Sequence, residues 1–329
     1  MDKDSMDNST LMVSVFMITY NHEKYIKKAI DGILMQKVNF SYEIIIGEDC
    51  SQDNTRSILN EYFKKYPSKI KLLLHEKNIG MHENVNAVWR ECRGKYIASC
   101  EGDDYWIDPN KLQKQVNFLE RHPQYIGTAH KIQVIDDKGK FLNIQTPFNF
   151  KKKDYTLADA KKGLYPGQIA TLVFRNILKH NPIDFQSLAE CNASGDIKLI
   201  VFLSLFGKIY CFDDIMSYYR KVTTHGDSFS ARRRGKNLSL RAFTQWEELS
   251  QLANCVKNIE IDYREKFSYI TAASFFKFCL KPNRENFVIF KELYGRFNKL
   301  YNKNTSLEIS KEIMKFPFKK FRKFLIKDD

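Results

Sequence analysis

Residues 13–18 form an apolar, β-prone run that closes at Thr19-Tyr20-Asn21. After it, Tyr25, Ile26, Ala29, Ile30, Ile33 and Leu34 recur at helical spacing, with Lys24, Lys27 and Lys28 on the opposite face. Asn21 stands where an N-cap would be. The alternation repeats. Glu43-Ile44-Ile45-Ile46-Gly47 reads as a strand, and Ile58, Leu59, Tyr62, Phe63 and Tyr66 as a helix face. Lys71-Leu72-Leu73-Leu74 is a third strand, followed past Asn78-Ile79-Gly80 by a helix carrying Val85, Val88, Trp89 and Cys92. Residues 96–100 are a fourth strand. Strands that are apolar throughout, separated by amphipathic helices, predict a parallel sheet covered on both faces.

Beyond residue 125 the pattern is less regular. Residues 127–134 predict a strand, closed by a tight turn at Asp136-Asp137-Lys138-Gly139-Lys140. Residues 148–163 are polar and Lys-rich, a loop or short helix. Residues 169–175, 209–212 and 216–220 predict three further strands. Ser194-Gly195-Asp196 opens an apolar helix that Gly207 ends. From about residue 236 the spacing is helical. The segment 316–327 mixes Phe with Lys and Arg. Such a helix either packs as a tail or lies in the headgroup region of an anionic membrane.

Composition narrows the functional classes. Lys and Arg number 53 against 39 Asp and Glu in 329 residues, a net charge of +14. That balance suits nucleic acid, an anionic membrane or small anionic substrates. Seven scattered cysteines without a Cys-x-x-Cys pair argue for reduced thiols, against a disulfide framework or zinc site. No window reaches the ~18 apolar residues of a spanning helix. Residues 1–10 are acidic and polar, which predicts a disordered start and no signal peptide. The expected location is therefore cytoplasmic, peripheral on the inner face of the cell membrane if the tail binds lipid.

The densest chemistry lies at Cys100-Glu101-Gly102-Asp103-Asp104-Tyr105-Trp106. Three carboxylates follow the fourth strand, at the sheet edge where open α/β folds bind ligands. Crowded carboxylates need solvent or a cation. A divalent ion shared with a phosphate satisfies them; an acidic loop in water is the plainer alternative. Asp108-Pro109 next predicts a helix start. Two more strand ends are polar, Thr19-Tyr20-Asn21 and Glu48-Asp49. Crossovers in a parallel sheet bring all such ends to one edge. Ser51 and Asp53 are assigned to helix capping, whereas Asp49 lies too early to cap and is assigned to a ligand.

Residues 13–21, 48–55, Asn78-Ile79-Gly80, Gly94-Lys95-Tyr96-Ile97 and 101–104 stand in an order and spacing that resembles glycosyltransferase family 2. The resemblance extends to about residue 225. It implies an inverting enzyme with the GT-A fold: an α/β, Rossmann-like, mostly parallel sheet flanked by helices. That domain would occupy 11–235, with a nucleotide-sugar half (11–125) and an acceptor half (126–235), before a helical region at 236–329. Thr19 and Tyr20, with Asn21 at the same strand end, would border the nucleotide base. Asp49 would accept a hydrogen bond from a pyrimidine, hence a UDP- or dTDP-sugar donor. Asn78 and Gly80 would approach the donor. Glu101-Gly102-Asp103-Asp104 takes the place of the DxD motif. Asp103 would touch ribose and metal, Asp104 the metal (Mg²⁺ or Mn²⁺), with Glu101 in support. Asp196 matches the general base, and Arg220 and His225 match a motif near the diphosphate, His225 as a further metal contact. Glu48 and Glu101 stand where Asp is commoner, and Ile197 where relatives often carry Trp.

The residue types suit that reaction. Cleaving a sugar–diphosphate bond leaves negative charge that a metal and Arg220 offset. The acceptor hydroxyl needs a carboxylate to take its proton. A second carboxylate nucleophile, as retention requires, has no candidate. The expected acceptor is a glycan or lipid-linked glycan in surface polysaccharide synthesis. A dinucleotide oxidoreductase would need Gly-x-Gly-x-x-Gly after the first strand, and none is there. A basic nucleic-acid-binding protein is opposed by carboxylates on the ligand edge, so no nucleic-acid partner is expected. A metal-dependent nucleotide-sugar phosphohydrolase would use the same site with water as acceptor.

Overall fold

A computed structural model describes residues 11–144, 146, 148, 151–177, 179, 182–221, 237–301 and 309–312. The expectations for residues 1–10, His225 and the 316–329 tail fall outside the described residues. The chain forms two compact units, one of residues 1–190 with 195–231 and one of residues 191–194 with 232–329.

The first unit begins with β1 (Val13–Thr19), α1 (Ile26–Leu34), β2 (Tyr42–Glu48), α2 (Thr55–Lys65), β3 (Ile70–Leu74), α3 (Met81–Glu91) and β4 (Tyr96–Ser99). These strands pair in parallel, in the order β3-β2-β1-β4. Every residue of β1 and β2 is buried, which is why both read as nearly continuous apolar runs. Val13, Val15, Met17, Ile44 and Ile46 pack with Ile26, Ile30 and Ile33 of α1 and Leu59 of α2. The register sets Thr19 opposite Glu48, so β1 and β2 end level with each other.

β5 (Tyr105–Trp106), α4 (Lys111–Arg121), β6 (Tyr125–Ile135), β7 (Asp154–Tyr155), α5 (Leu157–Lys161), β8 (Val173–Arg175), α6 (Pro182–Glu190), α7 (Gly195–Ser204) and β9 (Lys208–Arg220) complete the unit. The sheet continues from β4 through β8, β6 and β9 to β5, and β7 also pairs with β9. β8 runs antiparallel to β4 and β6, and β9 antiparallel to β5 but parallel to β6. The parallel half is thus extended into a mixed sheet with helices on its flanks.

Five local expectations are corrected. Residues 169–171 form a 3-10 turn, because the Gln168 side chain accepts from the Ala170 N–H and Thr171 Oγ1 donates to the Gln168 carbonyl. The runs at 209–212 and 216–220 are one strand, β9, which crosses the polar pair Asp213-Asp214 where the register with β6 shifts. Asn21 does not cap α1, whose N-cap is Tyr25. Its backbone is left-handed (φ 56°), as Asn tolerates. Ser51 does not cap α2 but accepts from the Asn21 N–H. Asp53 does act at that helix start, accepting from the Thr55 N–H. Asp108 sits two residues ahead of the α4 N-cap, Asn110, and accepts from the Asn110 N–H.

The second unit contains α8 (Leu238–Lys257), α9 (Arg264–Leu280) and α10 (Arg284–Tyr301). Phe243, Leu249, Leu252, Phe267, Ala272, Leu293 and Phe297 form its interior. The Phe243 and Phe267 rings lie 4.3 Å apart.

Candidate active site at the carboxyl ends of the strands

The level ends of β1 and β2 start the site. The Asp49 N–H donates to the Thr19 carbonyl at 3.1 Å, fastening the two strand exits together. Buried Glu48 accepts from the Ser51 N–H at 2.6 Å and pairs with Arg56. Arg56 in turn donates to the His75 carbonyl, so the exit of β3 joins the same rim. Asp49 is also buried, and its two oxygens accept from the N–H groups of Ile79 and Gly80 at 2.7 and 3.0 Å. Gly80 has φ +86°, a conformation costly to any residue with a Cβ. The carboxylate thereby shapes the Asn78-Ile79-Gly80 stretch. Asn21 Oδ1 accepts from the Gln52 N–H, tying the first strand end to the second.

β4 stops three positions earlier than β1, Ser99 pairing with Phe16. The loop after β4 therefore folds over the end of β1, with the Gly102 N–H on the Ile18 carbonyl at 3.1 Å. A Cβ on Gly102 would meet Thr19 Oγ1 at 2.7 Å and His22 Nδ1 at 2.8 Å. Only glycine lets the acidic loop come this close. Oxygens of Glu101, Asp103 and Asp104 then lie within 4.8 Å of one another.

Asp104 is the buried member and the best fastened. Its Oδ1 accepts from the Arg220 N–H at 2.7 Å, and its Oδ2 from Gln168 Nε2 at 2.7 Å. Arg220, at the end of β9, donates from Nε to the Asp103 carbonyl and from Nη1 to the Asp136 carbonyl, at 3.0 and 2.8 Å. Its guanidinium lies 4.3 Å from the Tyr25 ring centroid, a cation–π distance. The last residue of β9 thus holds the acidic loop from below.

Asp196 lies in the first turn of α7 and joins this cluster electrically. Burial, then the Asp103 charge, pushes its carboxyl up to about 6. Burial, then Asp103, raises Glu101 and Asp104 well above the usual carboxylate range, and Asp196 contributes to both. Tyr219 is held firmly as a phenol, first by burial and then by the charges of Asp104, Asp196, Asp103 and Glu101. Four carboxyls and one phenol therefore share a single field.

This donor set fits a hard divalent cation. Its ligands would all be oxygens, and each Asp104 oxygen keeps a lone pair beyond its one N–H bond. Burial and mutual repulsion raise these carboxyls, and a divalent cation among them would lower them again. Asp103 and Asp104 would hold it, with Glu101 alongside.

Of the residues named from sequence, Thr19, Asn21, Asp49 and Gly80 share the rim of β1 and β2, and Asn78 is exposed on the adjoining stretch. Tyr20 stands partly buried between Thr19 and Asn21. Asp103, Asp104, Asp196 and Arg220 form the acidic cluster with its cation. Gln168, Tyr219 and Tyr25 were missed. None carries a motif, since each meets the cluster from a different element.

Residues 14–180, about half of the chain, match the family model described as Glycosyl transferase family 2. A Mycobacterium bovis protein, Mb1547, is 45% identical over 127 residues, 39% of this chain and 37% of that protein. TuaG of Bacillus subtilis, named as a glycosyltransferase of teichuronic acid biosynthesis, is 30% identical over 171 residues, 52% of this chain and 65% of TuaG. The chain thus spans from 37% to 65% of the length of these relatives. The crystal structure of S. aureus TarS 1–349 in complex with UDP-GlcNAc has a TM-score of 0.60 at 20% identity, covering 87% of this chain and 80% of that one. That likeness is one of fold, the GT-A fold. The match over residues 14–180, carrying both the strand-end rim and the acidic loop, places the chain in glycosyl transferase family 2.

Proposed function

We propose that this protein transfers a sugar, with inversion, from a UDP- or dTDP-sugar to a hydroxyl of a glycan or lipid-linked acceptor. The observation that carries the reading is the meeting of Glu101, Asp103 and Asp104 within 4.8 Å, in the same field as Asp196. TarS, which shares the fold, has been crystallised in complex with UDP-GlcNAc and with UDP, which supports a uridine donor here.

In this reading Thr19, Tyr20, Asn21 and Asp49 border the base, while Asn78 and Gly80 line the approach to the donor. Asp103 and Asp104 hold Mg²⁺ or Mn²⁺, and Asp103 also reaches the ribose. When bound, the cation supplies Lewis-acid stabilisation of the diphosphate leaving group. Arg220 adds fixed positive charge on the same side, and His225 is assigned to the diphosphate and metal. Asp196 takes the proton of the acceptor hydroxyl as it attacks. A carboxyl near 6 is ionised at neutral pH yet basic enough to accept that proton, the compromise general-base catalysis favours. Tyr219 remains a hydrogen-bond donor beside it.

The naming of TuaG for teichuronic acid biosynthesis supports a surface polysaccharide as destination. The test is a thermal-shift panel of nucleotide sugars with Mn²⁺ or Mg²⁺, followed by transfer assays. Stabilisation by UDP- or dTDP-sugars that needs the ion and vanishes in Asp104→Asn is expected. Equal stabilisation of wild type and variant would remove the site. Donor consumption unaffected by any acceptor glycan would make the protein a hydrolase instead.

A further inference from the structure

The α9–α10 hairpin outruns the interior it helps to build. In α9 the buried positions stop at Ser274, and in α10 only Asn286 is buried before Leu293. Between them the turn is firmly closed. Asn283 Oδ1 accepts from the Asn286 N–H, and Asn286 Nδ2 donates to the Lys281 carbonyl, both at 2.8 Å. Two aromatic rungs hold the helices together, Phe275 to Phe290 at 5.2 Å and Phe278 to Phe287 at 5.4 Å. The tip is therefore built, yet its apolar side chains face outward. Leu280 is 53% exposed, Phe287 46% and Val288 51%.

Large apolar side chains exposed together mark an interaction surface. Charge identifies the partner. Residues 277–291 carry four cations, Lys277, Lys281, Arg284 and Lys291, against the single carboxylate Glu285. The cations are interleaved with the apolar positions along the same two helix ends. A protein interface core excludes charge. A bilayer surface accepts this mixture: apolar side chains enter the acyl boundary while Lys and Arg stems extend to phosphate. We infer that the tip of the α9–α10 hairpin docks on an anionic lipid membrane, inserting Leu280, Phe287 and Val288 among headgroups that the four cations contact. These residues precede the basic segment 316–327 in the sequence, and their binding needs neither donor nor acceptor.

The full chain would be sedimented with vesicles of phosphatidylcholine alone or mixed with phosphatidylglycerol, without nucleotide. Binding to the mixed vesicles, weakened by salt and by omission of phosphatidylglycerol, is expected. Leu280→Ser with Val288→Ser lowers the partition coefficient about tenfold or more, and Lys281→Glu with Arg284→Glu lowers it on anionic vesicles only. These positions are exposed, so the variants keep the wild-type melting curve. Cys279, exposed at the tip, gives a second readout: a polarity-sensitive dye attached there in a Cys255→Ser background shifts to the blue on mixed vesicles. Absence of wild-type binding, or binding unchanged by the Leu280/Val288 pair, overturns the inference. So does a blue shift without lipid that grows with protein concentration, which would assign the tip to a second copy of the chain.

Discussion

Replacing Lys111 with Met should make the protein more stable at neutral pH. Lys111 is the first residue of α4 and has no exposed surface. Its Nζ has no hydrogen-bond partner among the described protein groups and sits 4.0 Å from the Trp106 ring centroid. Burial drives the ammonium down from 10.5 to about 7, against smaller opposing effects from Cys100 and Asp108. At about 1.4 kcal/mol for each tenfold change in acidity, that difference places about 5 kcal/mol of strain on the folded state as a ceiling. The Trp106 ring, worth about 2 kcal/mol to a desolvated cation, already offsets part of it. Met keeps the length of the stem and has nothing to neutralise. A gain of about 2–5 kcal/mol at pH 7 is expected. The pH dependence follows from linkage. The folded value lies below the unfolded one, so the unfolded chain binds more protons between pH 7 and 10.5, and wild-type stability from this group rises with pH across that window. The advantage of Lys111→Met should be full below pH 7 and should fade toward pH 10.5. Urea unfolding of both proteins at neutral and alkaline pH measures it. A Met variant no more stable than wild type at pH 7, or a gap that does not narrow in alkali, would refute the assignment of a buried, unpaired amine.

Asp196→Asn should leave donor binding intact and lower transfer by about 10²–10⁴-fold; turnover within tenfold of wild type would place the base elsewhere. Because Asp196 is raised to about 6 and would act ionised as the proposed base, the acid limb of the rate should lie at or below that value, and a limb above pH 7 would contradict it. Gln168→Leu removes the side-chain donor to Asp104 Oδ2 and should weaken Mn²⁺ binding about 10–100-fold, read by calorimetric titration; unchanged affinity would show that Asp104 needs no such support. Gly47→Ala would press a Cβ to 2.0 Å from Asn84 Oδ1 and 2.6 Å from Val88 Cγ2, a loss of about 1–3 kcal/mol, and a melting curve like that of wild type would mean α3 yields freely.

β1, β2 and β4 were legible because burial on both faces leaves a nearly continuous apolar signature, as in residues 13–18 and 44–46, whereas β3 is only partly buried and was read from Leu72-Leu73-Leu74. β9 was not, because Asp213 and Asp214 interrupt the run. They lie where its register with β6 shifts, and Asp213 pairs with Lys131 and Lys153. The turn at 169–171 was misread for the opposite reason. Its residues are apolar enough for a strand, and one side chain, Gln168, bends them. In the site, the carboxylates could be read because parallel strands place their exits together. Arg220 meets Asp104 across 116 positions, and no local pattern encodes that pairing. Tyr219 reads as an ordinary strand aromatic until the fold brings it into the field of four carboxyls.

Asp49 spends both oxygens on the backbone of Ile79 and Gly80, and this changes how a lesion there must be interpreted. Neutralising or shortening the side chain frees the neighbouring segment as well as deleting the proposed contact to the base. A defect in donor capture would then mix a missing recognition group with a displaced wall, and Asp49→Asn, which keeps one acceptor oxygen, would separate the two better than alanine.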